Sequence, residues 1–174
     1  MKFKTLPICL SLLLSFSSTS AWAEEASTEE AKAIPTEVSV APYEVGQLPA
    51  KQGYYIDQGG ETQINFRIVE NQMRVYWIDA DGLIAKPEAK VGNVRFTSSV
   101  RGRAFYGLEA ISGDASVGSP AIIPAPHIFN SILTLENAGK STTHNFRYTA
   151  DMDTPTIPEG ATAPEAKKSK KPKY

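Results

Sequence analysis

Gln63-Ile64-Asn65-Phe66-Arg67-Ile68-Val69-Glu70-Asn71-Gln72-Met73-Arg74-Val75-Tyr76-Trp77-Ile78 is the stretch whose reading decides the fold. Within a predicted strand at Glu61–Val69, Ile64, Phe66 and Ile68 alternate with Asn65, Arg67 and Val69; after Glu70-Asn71-Gln72, Met73, Val75 and Trp77 alternate with Arg74, Tyr76 and Ile78. A period of two sends successive side chains to opposite faces of a strand. Two runs rich in β-branched and aromatic residues, joined by a short polar turn, predict an antiparallel hairpin.

The same grammar continues in both directions from this hairpin. Asp79-Ala80-Asp81-Gly82 predicts a reversal, with Gly82 free to take a positive φ. A short strand at Leu83–Lys86 stops at Pro87. Val91–Ser98 and Arg103–Ile111 alternate again, with a hairpin loop around Thr97–Gly102, and Ser112-Gly113-Asp114 turns the chain. His127–Leu135 and Ser141–Thr149 predict a second hairpin across Glu136-Asn137-Ala138-Gly139-Lys140, with His144, Phe146 and Tyr148 on one side of its last strand. Ser119–Pro126 carries Pro120, Pro124 and Pro126, which cannot donate to a ladder, so it reads as an edge strand or an extended connection. No segment shows a helical stripe. The expectation is an all-β domain at 43–150, a single Ig-like antiparallel β-sandwich of six to eight strands, with a small barrel as second choice.

The flanks have a different composition. Lys2 and Lys4, the apolar run Leu6 to Phe16, the polar Ser17 to Ser20 and Ala21-Trp22-Ala23 follow the order of a secretory signal peptide cleaved after Ala23. That apolar run is too short to cross a hydrocarbon layer of about 30 Å as a helix. The expected location is therefore periplasmic or secreted, in a bacterium. The only cysteine, Cys9, lies inside this segment, so the processed chain relies on its apolar core without disulfides. Residues 24–42, rich in Glu, Ala, Ser, Thr and Pro, read as a disordered acidic leader, and 151–174 as a disordered Pro- and Lys-rich tail.

Charge narrows the partners. Without Lys2 and Lys4 the chain has 16 basic and 19 acidic residues, a net of −3. A near-neutral body between oppositely charged arms lacks the basic face of a nucleic-acid binder.

The run Phe66 to Gly82, with Arg74-Val75-Tyr76 and Asp79-Ala80-Asp81-Gly82, together with the closing Asn145-Phe146-Arg147-Tyr148, resembles small bacterial periplasmic β-sandwich proteins, some of which accompany heavy-metal efflux systems. The resemblance would cover about 45–149 and implies the fold and an envelope location. The chain lacks the His-rich opening sequence of that group, so no metal ligands are implied.

The residues themselves offer few sites. His127, His144, Met73 and Met152 are the only soft or borderline metal ligands after the leader, without a close pair. Asp79, Asp81, Gly82 and Glu88 match part of a calcium loop, but Trp77 occupies its first position, so a turn between strands is the expectation. No G-x-S-x-G elbow is present, and the expectation is no catalysis, no metal and no cofactor. Arg95, Arg101 and Arg103 cluster around one loop, and arginine forks suit carboxylate or phosphate. Lys167, Lys168, Lys170, Lys171 and Lys173 form a positive tail suited to an anionic surface, where each lysine contributes about 1 kcal/mol. The expected function is an exported, non-catalytic binding or accessory module acting through a protein or an anionic envelope component. The alternative is a periplasmic metal-handling accessory of an efflux system.

Overall fold

Eight strands follow one another on a single hydrogen-bonded path in the computed structural model, which describes residues 35–98 and 102–164. Two short strands come first, β1 (Val38–Ser39) and β2 (Leu48–Pro49), paired in parallel. They are followed by β3 (Tyr54–Asp57), β4 (Gln63–Val69), β5 (Gln72–Ile78) and the two-residue β6 (Ile84–Ala85). Then come β7 (Val91–Ser98), β8 (Gly102–Ala110), β9 (Val117–Ile122), β10 (Phe129–Asn137) and β11 (Lys140–Tyr148). The path runs β11-β10-β7-β8-β9-β5-β4-β3, antiparallel throughout, with β6 beside β5. Within it β10-β7-β8-β9 has the strand order of a Greek key. The all-β expectation holds, and the sheet is nearly closed: Tyr54 on one terminal strand stacks on Phe146 of the other at 4.7 Å.

Both predicted hairpins form, with turns tighter than their composition suggested. Glu70 and Asn71 take φ of 51° and 64°, and Ala138 and Gly139 take 48° and 79°. Two-residue turns with both φ positive match the right-handed twist of the strands they join. Gln72 and Lys140, expected in the turns, are already strand residues.

The path is weakest between β8 and β9. They share two register pairs, Glu109 with Gly118 and Ala110 with Val117, whereas β7 and β8 share an unbroken run from Val91–Glu109 to Ser98–Gly102. Pro120 sits in β9 just beyond that junction and has no N–H to extend it. The Pro-rich piece divides as its prolines suggested: residues 119–122 of β9 pair with β5 alone, a local edge beyond the β8 junction, and residues 123–126 are a connection, while the β5–β9 register shifts between Gln72 and Arg74. At Gly118 a Cβ would lie 2.4 Å from the Met73 carbonyl oxygen, so only glycine lets β9 approach β5 there.

Phe66 joins the two sides of the sheet. Its ring centroid lies 6.4, 6.5, 5.1 and 5.6 Å from those of Phe96, Phe129, Phe146 and Tyr148. Ile64, Ile68, Val75, Trp77, Val94 and Leu133 pack around this cluster, all buried.

The packed body is wider than the window 43–150. On the outer face of β4 and β5, Tyr43 covers Tyr76, Ile78 and Ile84, and Val38 and Leu48 cover Leu83. Ala150–Asp153 forms a 3₁₀ turn; Thr156 exchanges backbone hydrogen bonds with Lys51, and Thr162 bonds both Thr36 and Val38. Residues 35–42 and 151–164, read from composition as disordered, are thus partly strand-paired: their few apolar side chains (Val38, Met152) find cover on a sheet that local periodicity could not show. The leader before 35 and the tail after 164 lie outside the described residues.

A single ring that bridges both sides of the sheet sets a clear expectation. Phe66→Ala should lower the unfolding free energy by about 3–5 kcal/mol, measured by urea denaturation, while Phe105→Ala should change it by less than about 0.5 kcal/mol, because Phe105 is 68% exposed.

Candidate sheet-face binding site

The outer faces of the two sides differ. Residues 35–50 cover β4 and β5, whereas the outward side chains of β8, β7, β10 and β11 are mostly exposed. Register fixes their arrangement. Arg103, Thr97, Asn130 and Arg147 form one row across four strands; Phe105, Arg95, Ile132 and Asn145 form the next; Glu109, Val91, Glu136 and Ser141 close the far end. Paired residues in an antiparallel sheet share a face, and neighbouring strands lie about 4.8 Å apart, so Arg103 and Arg147 stand about 14 Å apart with Arg95 between them in the adjacent row.

Arg95, Arg103 and Arg147 are all exposed, and none makes an ion pair among the described residues. The two carboxylates on this face, Glu109 and Glu136, stand two rows from Arg95. Arg95 and Arg103, singled out from the sequence, are diagonal neighbours on the β7–β8 hairpin; Arg101 lies outside the described residues, as do Lys167, Lys168, Lys170, Lys171 and Lys173. Arg147 was missed. Its outward position followed from the alternation Asn145-Phe146-Arg147-Tyr148, but its row needed the register of β10 on β7, which no local pattern encodes.

A second arginine is buried. Arg67, on the opposite outer face, is 0% exposed; it donates to Asn65 Oδ1 and, at 3.3 Å, to Tyr43 Oη. Its guanidinium carbon lies 5.5 and 5.2 Å from the ring centroids of Tyr43 and Tyr76, and Nη2 has no hydrogen-bond partner among the described residues. Two aromatic faces thus replace the carboxylate that a buried cation ordinarily requires. Beside it Asp114 gathers the surrounding donors: Tyr76 Oη at 2.8 Å, Ser116 Oγ at 2.9 Å, the Tyr43 amide at 3.0 Å, and the Arg74 guanidinium at 3.5 Å. This network fastens the covering segment to β5.

The metal and calcium ideas find no assembled site among the described residues. His127 is buried, with Nδ1 2.7 Å from Asp153 Oδ2 and Nε2 2.7 Å from the Ile123 carbonyl, and Tyr148 Oη donates to the other Asp153 oxygen at 3.0 Å. It anchors the 3₁₀ turn. His144 sits opposite Leu133, four ladder positions or about 13 Å of strand from the Phe129 end that His127 precedes. Burial holds the His144 imidazole below its ordinary pKa. Among the described residues no three of His, Cys, Asp and Glu converge. Asp79 Oδ1 accepts the amides of Asp81 and Leu83 at 3.0 and 2.8 Å, which closes the expected turn, and Glu88 accepts Thr62 Oγ1 instead. An open groove of about 900 Å³ has Glu61, Asp79, Asp81 and Glu159 on its walls against one cation among the described residues, Lys51. Its sign is opposite to that of the arginine-bearing face.

No family model, no curated protein and no solved structure matches this chain, so the geometry carries the functional argument alone. No helix among the described residues is long and apolar enough to cross a membrane.

Burial raises the phenol pKa values of Tyr76 and Tyr148 most, with Asp114 and Asp153 adding to it respectively, and it raises Tyr43 against the opposing pull of Arg67. Above pH about 10 an unfolded tyrosine loses its proton while these keep theirs. The folded chain then holds more protons than the unfolded one, and stability falls as pH rises. His144, depressed by burial, acts at the other end: stability falls as pH drops below about 6.5, because only the unfolded chain takes up that proton. Thermal melts from pH 5 to 11 should trace a plateau between these limits, and Tyr76→Phe should flatten the alkaline fall.

Proposed function

We propose that the chain is an exported, non-catalytic binding module of the bacterial cell envelope that grips an anionic partner on the sheet face bearing Arg95, Arg103 and Arg147. The observation that carries this reading is three exposed guanidinium groups in two adjacent rows, with no carboxylate paired to them among the described residues. Arginine presents a planar fork that matches carboxylate and phosphate oxygens. A sheet face holds such forks at spacings set by the ladder, so the partner meets a preformed array. The signal-peptide pattern of residues 1–23 and the likeness of Phe66–Gly82 to small periplasmic β-sandwich proteins support the envelope setting. On the fold, we read the body as an Ig-like sandwich of β3-β4-β5-β9 on β8-β7-β10-β11, with barrel character at the corner where β8 meets β9. A metal-handling accessory role, the alternative, would need ligands beyond the described residues.

Phosphocellulose serves as a generic anion array. The full chain should elute at higher salt than the Arg95→Gln/Arg103→Gln/Arg147→Gln variant, while a Lys51→Gln/Lys86→Gln/Lys90→Gln variant of equal net charge should elute with the wild type. Coincident elution of all three proteins would contradict the proposal, because any retention would then come from elsewhere in the chain.

A further inference from the structure

The open edge of β8 borders the same arginines and narrows the kind of partner. From Gly102 to Leu108 this strand is paired to β7 on one side, and on the other side it has no ladder partner among the described residues, since β9 meets it only at Glu109 and Ala110. Alternate residues of a paired strand turn N–H and C=O away from the neighbour. A run of seven residues therefore presents a row of open donors and acceptors in the interior of the strand order.

β11 is also paired on one side only, but none of its described side chains is a large exposed apolar one; the sheet's remaining margins are guarded. β3 is four residues long, and its Tyr54 is stacked on Phe146 of β11. β9 carries Pro120, which removes a donor. Gly102–Leu108 holds no proline, keeps unbroken register with β7, and leaves Phe105 68% exposed beside Arg103. At Gly107 a Cβ would meet nothing within 4 Å, so side chains of an added strand have room there.

We infer that the anionic partner is a polypeptide segment that binds in extended form as an added strand on the β8 edge, with an acidic side chain level with Arg103 and an apolar one level with Phe105. This rests on the arginine-face reading above and assigns its partner. Backbone bonds along an exposed edge supply affinity, and alternate side chains supply choice. Cross-strand neighbours on one face lie about 5 Å apart, close enough for a carboxylate to reach Arg103 and an apolar side chain to cover the Phe105 ring. Arg95, diagonal to Arg103 on β7, adds a second positive charge on the same side.

The probe is a fluorescent nine-residue peptide, Thr-Val-Thr-Glu-Thr-Val-Thr-Glu-Thr, whose extended form puts glutamate and valine two positions apart on one face, capped at both ends and titrated into the full chain, with amide hydrogen exchange followed by NMR. The expected result is saturable binding, at least tenfold slower exchange at those amides of residues 103–108 that point away from β7, and at least tenfold weaker binding to Arg95→Gln/Arg103→Gln. Phe105→Ala should weaken binding about threefold without altering the melting temperature. Binding that depends on the arginines but leaves the β8 amides exchanging at their free rate would overturn the added strand and leave the arginine face standing. Binding that protects β8 yet ignores both arginine substitutions would overturn the anionic reading. No binding at about 1 mM peptide, an affinity of only about 4 kcal/mol, would overturn this inference, and the phosphocellulose result would still judge the face separately.

Discussion

Contact between the Phe66 ring and the aromatic side chains of β7, β10 and β11 is the constraint on which the rest of the structure depends. The ladder alone cannot hold the two sides together, because β8 and β9 share only two pairs and β3 meets β11 through stacked rings instead of a run of hydrogen bonds. The only cysteine is Cys9, in the predicted signal segment, so no disulfide links the described strands. Apolar burial must therefore do what a cross-link does in many exported domains. Phe96 stacks on Phe129 at 4.1 Å and Phe129 on Tyr148 at 5.2 Å, which extends the contact from Phe66 into a continuous aromatic layer.

This mode of closure has a consequence for function. Side chains hold the sheet shut from within, so the backbone edges at its seams need not be spent on closure, and the outer face of β8-β7-β10-β11 needs no cover. The opposite outer face is treated differently. There the side chains of Tyr76, Ile78 and the buried Arg67 require a lid, and residues 35–50 supply it, pinned through Asp114. The molecule is thus polarised, with one outer face covered and the other exposed.

Much of this was legible in the sequence. Alternation in 61–78 specified β4 to within two residues and β5 to within one, because the two faces of each strand carry different side chains even where both are covered. The outward direction of Arg95 and Arg103 followed from the same alternation. What escaped were features set by long-range pairing. Pro120 marked the part of β9 that pairs with β5 alone, but the pairs of Val117 and Gly118 with β8, which place β9 mid-path, had no local signal. Arg147 joined the candidate site only through β10. The cover formed by 35–42 and 151–164 depends on isolated apolar residues such as Val38, whose partners are far away in sequence. Arg67 looked like an ordinary solvent-facing strand residue, since alternation reports which face a side chain takes and not whether another segment covers that face.

Nuclear Overhauser spectroscopy on the intact protein tests the central claim most directly. The account predicts cross-peaks from the Phe66 ring protons to those of Phe96, Phe129, Phe146 and Tyr148, joining strands that share no hydrogen bonds with β4. A Phe66 ring with contacts confined to β3 and β5 would contradict it, since the two sides of the sheet would then be held together by something other than this aromatic cluster.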